Sequence, residues 1–241
     1  MFGIEISFRR AVLETGIIVI GVLIALGADN WNSNRIDRRT EAEYLVRLAS
    51  DASHNAELAV AVTGALERKL TRLDYLAETV VSKQVGTDPT QTVIAIGAGA
   101  DLGWTFPRFR SITFEEMQST GRLGLIQDTE LRAALIQYDT DLSSTVDRIE
   151  ARRTEFPGYA YSLLEPEDMV ELNLIDLDWE IQEIEVDTAL SQRVADAVRD
   201  PNFKFLLNAE RNFASFAVQL MDWHGSRSEE LLLELDRALQ N

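Results

Sequence analysis

The sequence predicts an all-α protein: a single N-terminal transmembrane helix continuing into a long helical stalk and an antiparallel helical bundle. Three observations predict it. Residues 11–28 form an apolar run with one charge. Apolar positions recur at heptad spacing from residue 45 to residue 80, and a second long apolar stripe occupies residues 202–239. The expected organisation is a tail over 1–10, a transmembrane helix over 11–28 and an acidic helical extramembrane domain over 29–241. Its long helices are expected at 33–82, 128–156 and 202–239.

In the run AVLETGIIVIGVLIALGA, ten of eighteen residues are Val, Leu or Ile, and Glu14 is the only charge. As a helix it rises ~27 Å, close to the ~30 Å hydrocarbon thickness of a bilayer. Each central aliphatic residue favours insertion by roughly 0.3–0.6 kcal/mol, which together outweighs one carboxylate a turn from the end. Trp31, between Asn30 and Asn32, suits the headgroup level, and Arg9 and Arg10 mark the opposite interface. Two other readings of the run are a cleaved signal peptide, with Arg9 and Arg10 as its basic region and Ala25-Leu26-Gly27 as the cleavage site, and a buried core helix.

An acid inside a span faces a protein partner, a polar cavity or the interface. Gly16, Gly21 and Ala25 are small, and Gly21-x-x-x-Ala25 lets two helices approach closely. Glu14, Gly16, Gly21 and Ala25 are therefore the candidate packing residues within the membrane. The alternative leaves Glu14 at the headgroups and the small residues incidental. Arg9 and Arg10 nearly balance Arg35, Arg38 and Arg39 across the span, so the positive-inside rule decides little. A short basic tail before a span is the layout of a signal anchor, with the N-terminus inside and the body outside.

Beyond the run, Leu45, Ala52, Ala59, Leu66, Leu73 and Val80 recur every seven residues, with Leu48, Val62 and Leu76 between them. Asn55 and Lys69 fall at that intermediate spacing, so Ala56 and Leu70 are expected to take over on the adjacent side. The helix of 33–82 would measure ~75 Å and, without a breaker after Trp31, run straight on from the membrane. An intermolecular coiled coil and a bundle helix of one chain are both compatible with this seam.

Gly86-Thr87-Asp88-Pro89 is a turn signal, and Thr90 to Ala98 reads as a short helix. Trp104, Phe106 and Phe109 are expected in the core. Thr113 and Glu116 suggest a capping box, with Gly121 ending that helix. Asp128 is a good N-cap for a helix carrying Leu131, Leu135, Tyr138, Leu142, Val146 and Ile149 and ending near Pro157. A short helix at 190–198 and a break at Asp200-Pro201 precede the last helix. Its expected buried side is Leu206, Phe213, Phe216, Leu220, Leu231, Leu235 and Leu239, with His224 buried on the same stripe.

The net charge of −17 argues against nucleic acid, which needs a basic stripe. Without cysteine there is no disulfide, thiol catalysis or thiolate metal site. Residues 165–187 hold ten carboxylates, and no Lys or Arg occurs between Arg153 and Arg193. Here Ile175, Leu177, Trp179 and Ile181 alternate with acids, as in an extended piece with one apolar face. Glu165, Glu167, Asp168, Asp176, Asp178 and Glu180 form a candidate acidic docking surface; the competing readings are a solvated loop and a loose calcium site. The spacing does not match an EF-hand. Two histidines, no phosphate loop and no nucleophile elbow leave no catalytic constellation, and no cofactor or metal is expected.

Glu14, the stretch Val19-Ile20-Gly21-Val22-Leu23-Ile24-Ala25-Leu26, then Asn30-Trp31-Asn32 and Glu43-Tyr44-Leu45 resemble an uncharacterised family of bacterial single-pass membrane proteins. Ser119-Thr120-Gly121, Leu125-Ile126, Glu130-Leu131 and Tyr138 are similar to its mid-chain pattern. The resemblance implies a bacterial inner-membrane location and a helical body, and brings no activity or catalytic residue. The expected function is non-enzymatic: a membrane-anchored scaffold that self-associates or joins other membrane-protein subunits, with the lipid bilayer as its first partner. The alternative is a sensory or ligand-binding extracytoplasmic domain, its pocket lined by Trp104, Phe106, Tyr159, Tyr161 and Trp179. An acidic-dyad hydrolase is a third, minor reading.

Overall fold

The computed structural model describes residues 3–82, 88–100, 106, 108–164 and 186–240, with backbone alone at 3–12 and at 146. Every regular element among them is helical. Helix α1 spans Gly3–Ser82, α2 Pro89–Gly99, α3 Ile112–Ser119, α4 Thr129–Glu150, α5 Phe156–Leu163, α6 Thr188–Arg199 and α7 Pro201–Gln240. A 3₁₀ turn at Arg122–Leu125 joins α3 to α4.

Helix α1 is unbroken over 80 residues, ~120 Å. Its first part, which carries the apolar run, is long and apolar enough to cross a membrane, and none of the run's described side chains is buried in the protein. The large aliphatic residues from Leu13 to Leu26 are 50% to 67% exposed, which removes the buried-core reading. From Tyr44 onward the same helix enters the bundle and packs chiefly on α7.

The heptads explain that pairing. On α1, Leu45/Leu48, Ala52/Asn55, Ala59/Val62, Leu66/Lys69 and Leu73/Leu76 are all buried. On α7, Leu207/Glu210, Ala214/Ala217, Met221/His224 and Ser228/Leu231 continue the seam to Leu235. Both seams keep the 3.5-residue spacing that holds two helices face to face along their length. Cross-contacts fix an antiparallel register: Thr63 donates to Asp222 at 3.2 Å and Arg211 Nε donates to Asp74 at 2.8 Å. Small residues bring the axes close; a Cβ on Gly225 would stand 3.6 Å from the Ala59 Cβ. The seam expected from the α1 heptads is thus satisfied within the chain.

Several expectations need correction. Asn55 and Lys69 are not displaced by Ala56 and Leu70; they are buried in the seam, and Ala56 and Leu70 are half-buried. On α7, Leu239 is exposed and Phe216 half-buried, while Leu207, Ala214, Ala217 and Met221 take the innermost places. The helix expected to end near Pro157 stops at Glu150, and Pro157 opens α5, where its missing N–H leaves no bond unmade. Thr113 and Glu116 form no capping box. Helix α3 starts at Ile112; Asp51 of α1 accepts from the Thr113 N–H at 2.8 Å, and Glu116 turns to Tyr44 and Arg47.

Aspartates start four of the helices. Asp88 accepts from Gln91 N, Asp128 from Glu130 N and Leu131 N, Asp187 from Leu190 N and Asp200 from Asn202 N. Each removes an orphan donor of the first turn. Gly121, at φ 70°, makes the left-handed step after α3 that a side chain would resist.

Two clusters form the core. The one nearer the apolar run joins Leu45 to Leu66 of α1 with α3, α4 and the C-terminal half of α7. The distal one joins Leu73 and Leu76 with α2, α5, α6 and the start of α7. At the distal end a Cβ on Gly99 would come within 2.6 Å of a Leu73 methyl, so α2 lies directly on α1. Leu48→Ala should cost about 2–5 kcal/mol by leaving a cavity in the seam, and Val60→Ala on the exposed face under ~0.5 kcal/mol. Denaturant unfolding of the full chain in detergent, followed by circular dichroism, measures both.

Candidate functional site

The candidate membrane-packing residues Glu14, Gly16, Gly21 and Ala25 lie on one continuous stretch of α1. Gly16 and Gly21 have open space where a Cβ would stand, so nothing among the described residues requires glycine there. Trp31 follows, 67% exposed. Arg9 and Arg10 lie on helical backbone whose side chains are outside the described residues. Glu165, Glu167, Asp168, Asp176, Asp178 and Glu180 of the acidic surface lie outside the described residues, and with them the expected extended piece at 175–181. The residues flanking that stretch, Leu164 and Val186, pack in the distal cluster.

The residues proposed to line a sensor pocket are not gathered in one place. Phe106 meets Phe213 edge-on at 6.1 Å in the proximal cluster. Tyr159 leans on Phe203 at 5.9 Å in the distal one. Tyr161 is exposed, and Trp104 and Trp179 lie outside the described residues. Among the described residues no group of three acids or histidines is placed to hold a metal ion.

The structure instead reveals polar layers inside the α1/α7 seam. In the first, Asn55 Nδ2 donates to the Tyr138 hydroxyl and to the Arg110 carbonyl, each at 3.0 Å. The Tyr138 hydroxyl lies 2.8 Å from Ser228 Oγ. Burial pushes the Tyr138 phenol above its ordinary pKa, so it stays protonated and able to donate. This layer ties α1, α4, α7 and the strand of loop before α3 together.

In the second, the fully buried His224 bonds through Nε2 to Thr145 Oγ1 of α4 and stacks on Phe109 at 5.4 Å. Its Nδ1 has no hydrogen-bond partner among the described residues. Burial lowers the His224 pKa to about 4; Asp141 opposes this and Arg148 adds to it.

The third layer sits where the two core clusters meet. Lys69, between Leu66 and Leu73 on α1, pairs with Glu210 of α7, and Thr154 donates to the other Glu210 oxygen. Both charged side chains are almost dry, at 3% and 2% exposure. The Lys69 ammonium also lies 5.8 Å from the Phe213 ring centre. Sequence reading missed this pair because its members are 141 residues apart. The available signal was the interruption of both heptad stripes by opposite charges.

A fourth polar group lies at the proximal end and is half-exposed. Glu116 takes a hydrogen bond from Tyr44 at 3.0 Å and pairs with Arg47, while Arg122 donates to the Tyr44 hydroxyl at 2.9 Å. Arg47 first, then Tyr44, holds the Glu116 carboxyl below the usual carboxylate range. The arrangement orders helices.

Two predictions follow from the layers. Lys69→Met should cost about 3–5 kcal/mol by stranding the Glu210 carboxylate, and Lys69→Met with Glu210→Leu should recover most of that loss; urea unfolding of the three proteins checks it. His224 binds its proton less readily folded than unfolded, so its contribution is present above pH 6.5 and is lost as pH falls towards 4. The loss totals roughly 3 kcal/mol. His224→Gln should flatten the stability profile of the wild type between those pH values.

Comparison with family models, with curated proteins and with solved structures finds no match for this chain.

Proposed function

We propose that the chain is a membrane-anchored, non-enzymatic interaction protein, of the single-pass bacterial inner-membrane kind that its N-terminal residues resemble. One observation carries the reading: a single unbroken helix holds an exposed apolar run at one end and the core of an acidic bundle at the other. Aliphatic surface of that extent has no place in water, and lipid is the partner that its length of ~27 Å fits. The acidic body faces water, on the outer side if the basic tail acts as a signal anchor. Self-association, or attachment to another membrane subunit, uses the Gly21/Ala25 face, where backbones can approach closely, with Glu14 paired across the contact.

The absence of cysteine makes the test clean. In the full chain in native-like membranes, Ala25→Cys should form an oxidative crosslink, to a second copy or to a co-purifying subunit. Leu23→Cys, two residues away and so on the opposite side of the helix, should not. A detergent-solubilised monomer that crosslinks at neither position and brings no subunit with it overturns the proposal.

A further inference from the structure

Helix α7 carries a second stripe outside the seam. Phe205, Ala209, Asn212 and Phe216 follow one another at steps of four, three and four, so they share one face over ~16 Å. Phe205 is 69% exposed, the most exposed of the large apolar residues on this helix. Ala209 makes a dip between the two rings. The turn from α4 to α5, residues 151–155, forms the opposite wall, and together they line an open groove of about 520 Å³. That volume is in the range of small-molecule sites. On that wall Thr154 is tied to the buried Glu210 carboxylate by the hydrogen bond it donates.

The charge at the rim indicates what fits. The Arg152 guanidinium lies over the Phe216 ring at 3.8 Å, which holds it in place at the groove's edge. Its neighbour Arg153 pairs with Glu150 at 2.8 Å. Arg152 has no carboxylate within ion-pair distance among the described residues, in a chain with 40 acids and 23 bases. Asn212 supplies an amide on the same rim, and Glu155 is the one acid in the lining.

We infer that this groove binds a small amphiphilic carboxylate: an apolar body seated over Ala209 between Phe205 and Phe216, its carboxylate received by Arg152 and Asn212. Arginine suits a carboxylate because two N–H groups can donate in parallel to its two oxygens. The aromatic walls supply apolar contact, and the stacked guanidinium loses little freedom on binding. The inference goes beyond the anchoring role, because the groove lies ~60 Å along α1 from the apolar run and shares no residue with it.

The probe is 4-phenylbutyrate, titrated calorimetrically into the full chain in nanodiscs, with empty nanodiscs as the blank and the uncharged 4-phenylbutanol as the comparison. Saturable binding of the acid in the range of ~10 µM to ~1 mM is expected, with the alcohol at least about tenfold weaker. Arg152→Gln should weaken the acid roughly tenfold and leave the alcohol unchanged, and Ala209→Leu should abolish binding of both. No saturable binding of the acid below about 10 mM, or equal binding of acid and alcohol by the unmutated protein, overturns the inference. Both of these outcomes are independent of whether the chain self-associates, and of whether either variant folds.

Discussion

The antiparallel seam between α1 and α7 is the constraint on which the bundle rests. Two helices that keep mostly apolar or small residues at every third and fourth position over five heptads bury that face best against each other. Alanine at 52, 59, 214 and 217 lets the axes approach, and larger residues at either end fill the space as the other helices arrive. Once this pair is set, α3 and α4 close the proximal half, and α2, α5 and α6 close the distal half. Asp51, the residue preceding Ala52 of the seam, even supplies the first-turn acceptor of α3.

Three polar layers interrupt that apolar seam, and each costs desolvation that good geometry only partly offsets. Their arrangement suggests what they contribute. If α7 slipped by one heptad, Lys69 would face Phe203 or Ala217 in place of Glu210, leaving a buried charge alone. Asn55 would lose its place in the chain through Tyr138 to Ser228, which fixes a third helix as well. Apolar heptads by themselves tolerate such slips; paired polar groups at single positions do not. We read the layers as the device that selects one register and one topology.

Between the apolar run and the bundle, residues 29–43 form a helical spacer of ~22 Å, exposed almost throughout. It has no glycine or proline, so it offers none of the common sites for a kink. It also has no apolar stripe, so it needs no neighbour along its length. The first fixed contacts of the body come at Glu41, which accepts from Gln127 N at 2.7 Å, and at Tyr44. The body is thereby held at a set distance from whatever surrounds the apolar run, and the groove beside Arg152 lies farther out still.

The sequence by itself determined the helical class, the apolar run, the extent of the terminal helices and the Asp128 cap. All of these rest on local spacing, which a single stretch of chain displays in full. It also showed eight of the ten seam positions on α1, but read Asn55 and Lys69 as defects, because a polar residue in an apolar stripe has meaning only with its partner. Those partners, Tyr138 and Glu210, are 83 and 141 residues away, and only the folded chain brings them within bonding distance. The same holds for Thr113 and Glu116, whose spacing suggested a local cap while Asp51, Tyr44 and Arg47 offered better-placed partners from another helix. Tertiary structure alone decided which polar groups are buried, since burial depends on what the rest of the chain lays over them.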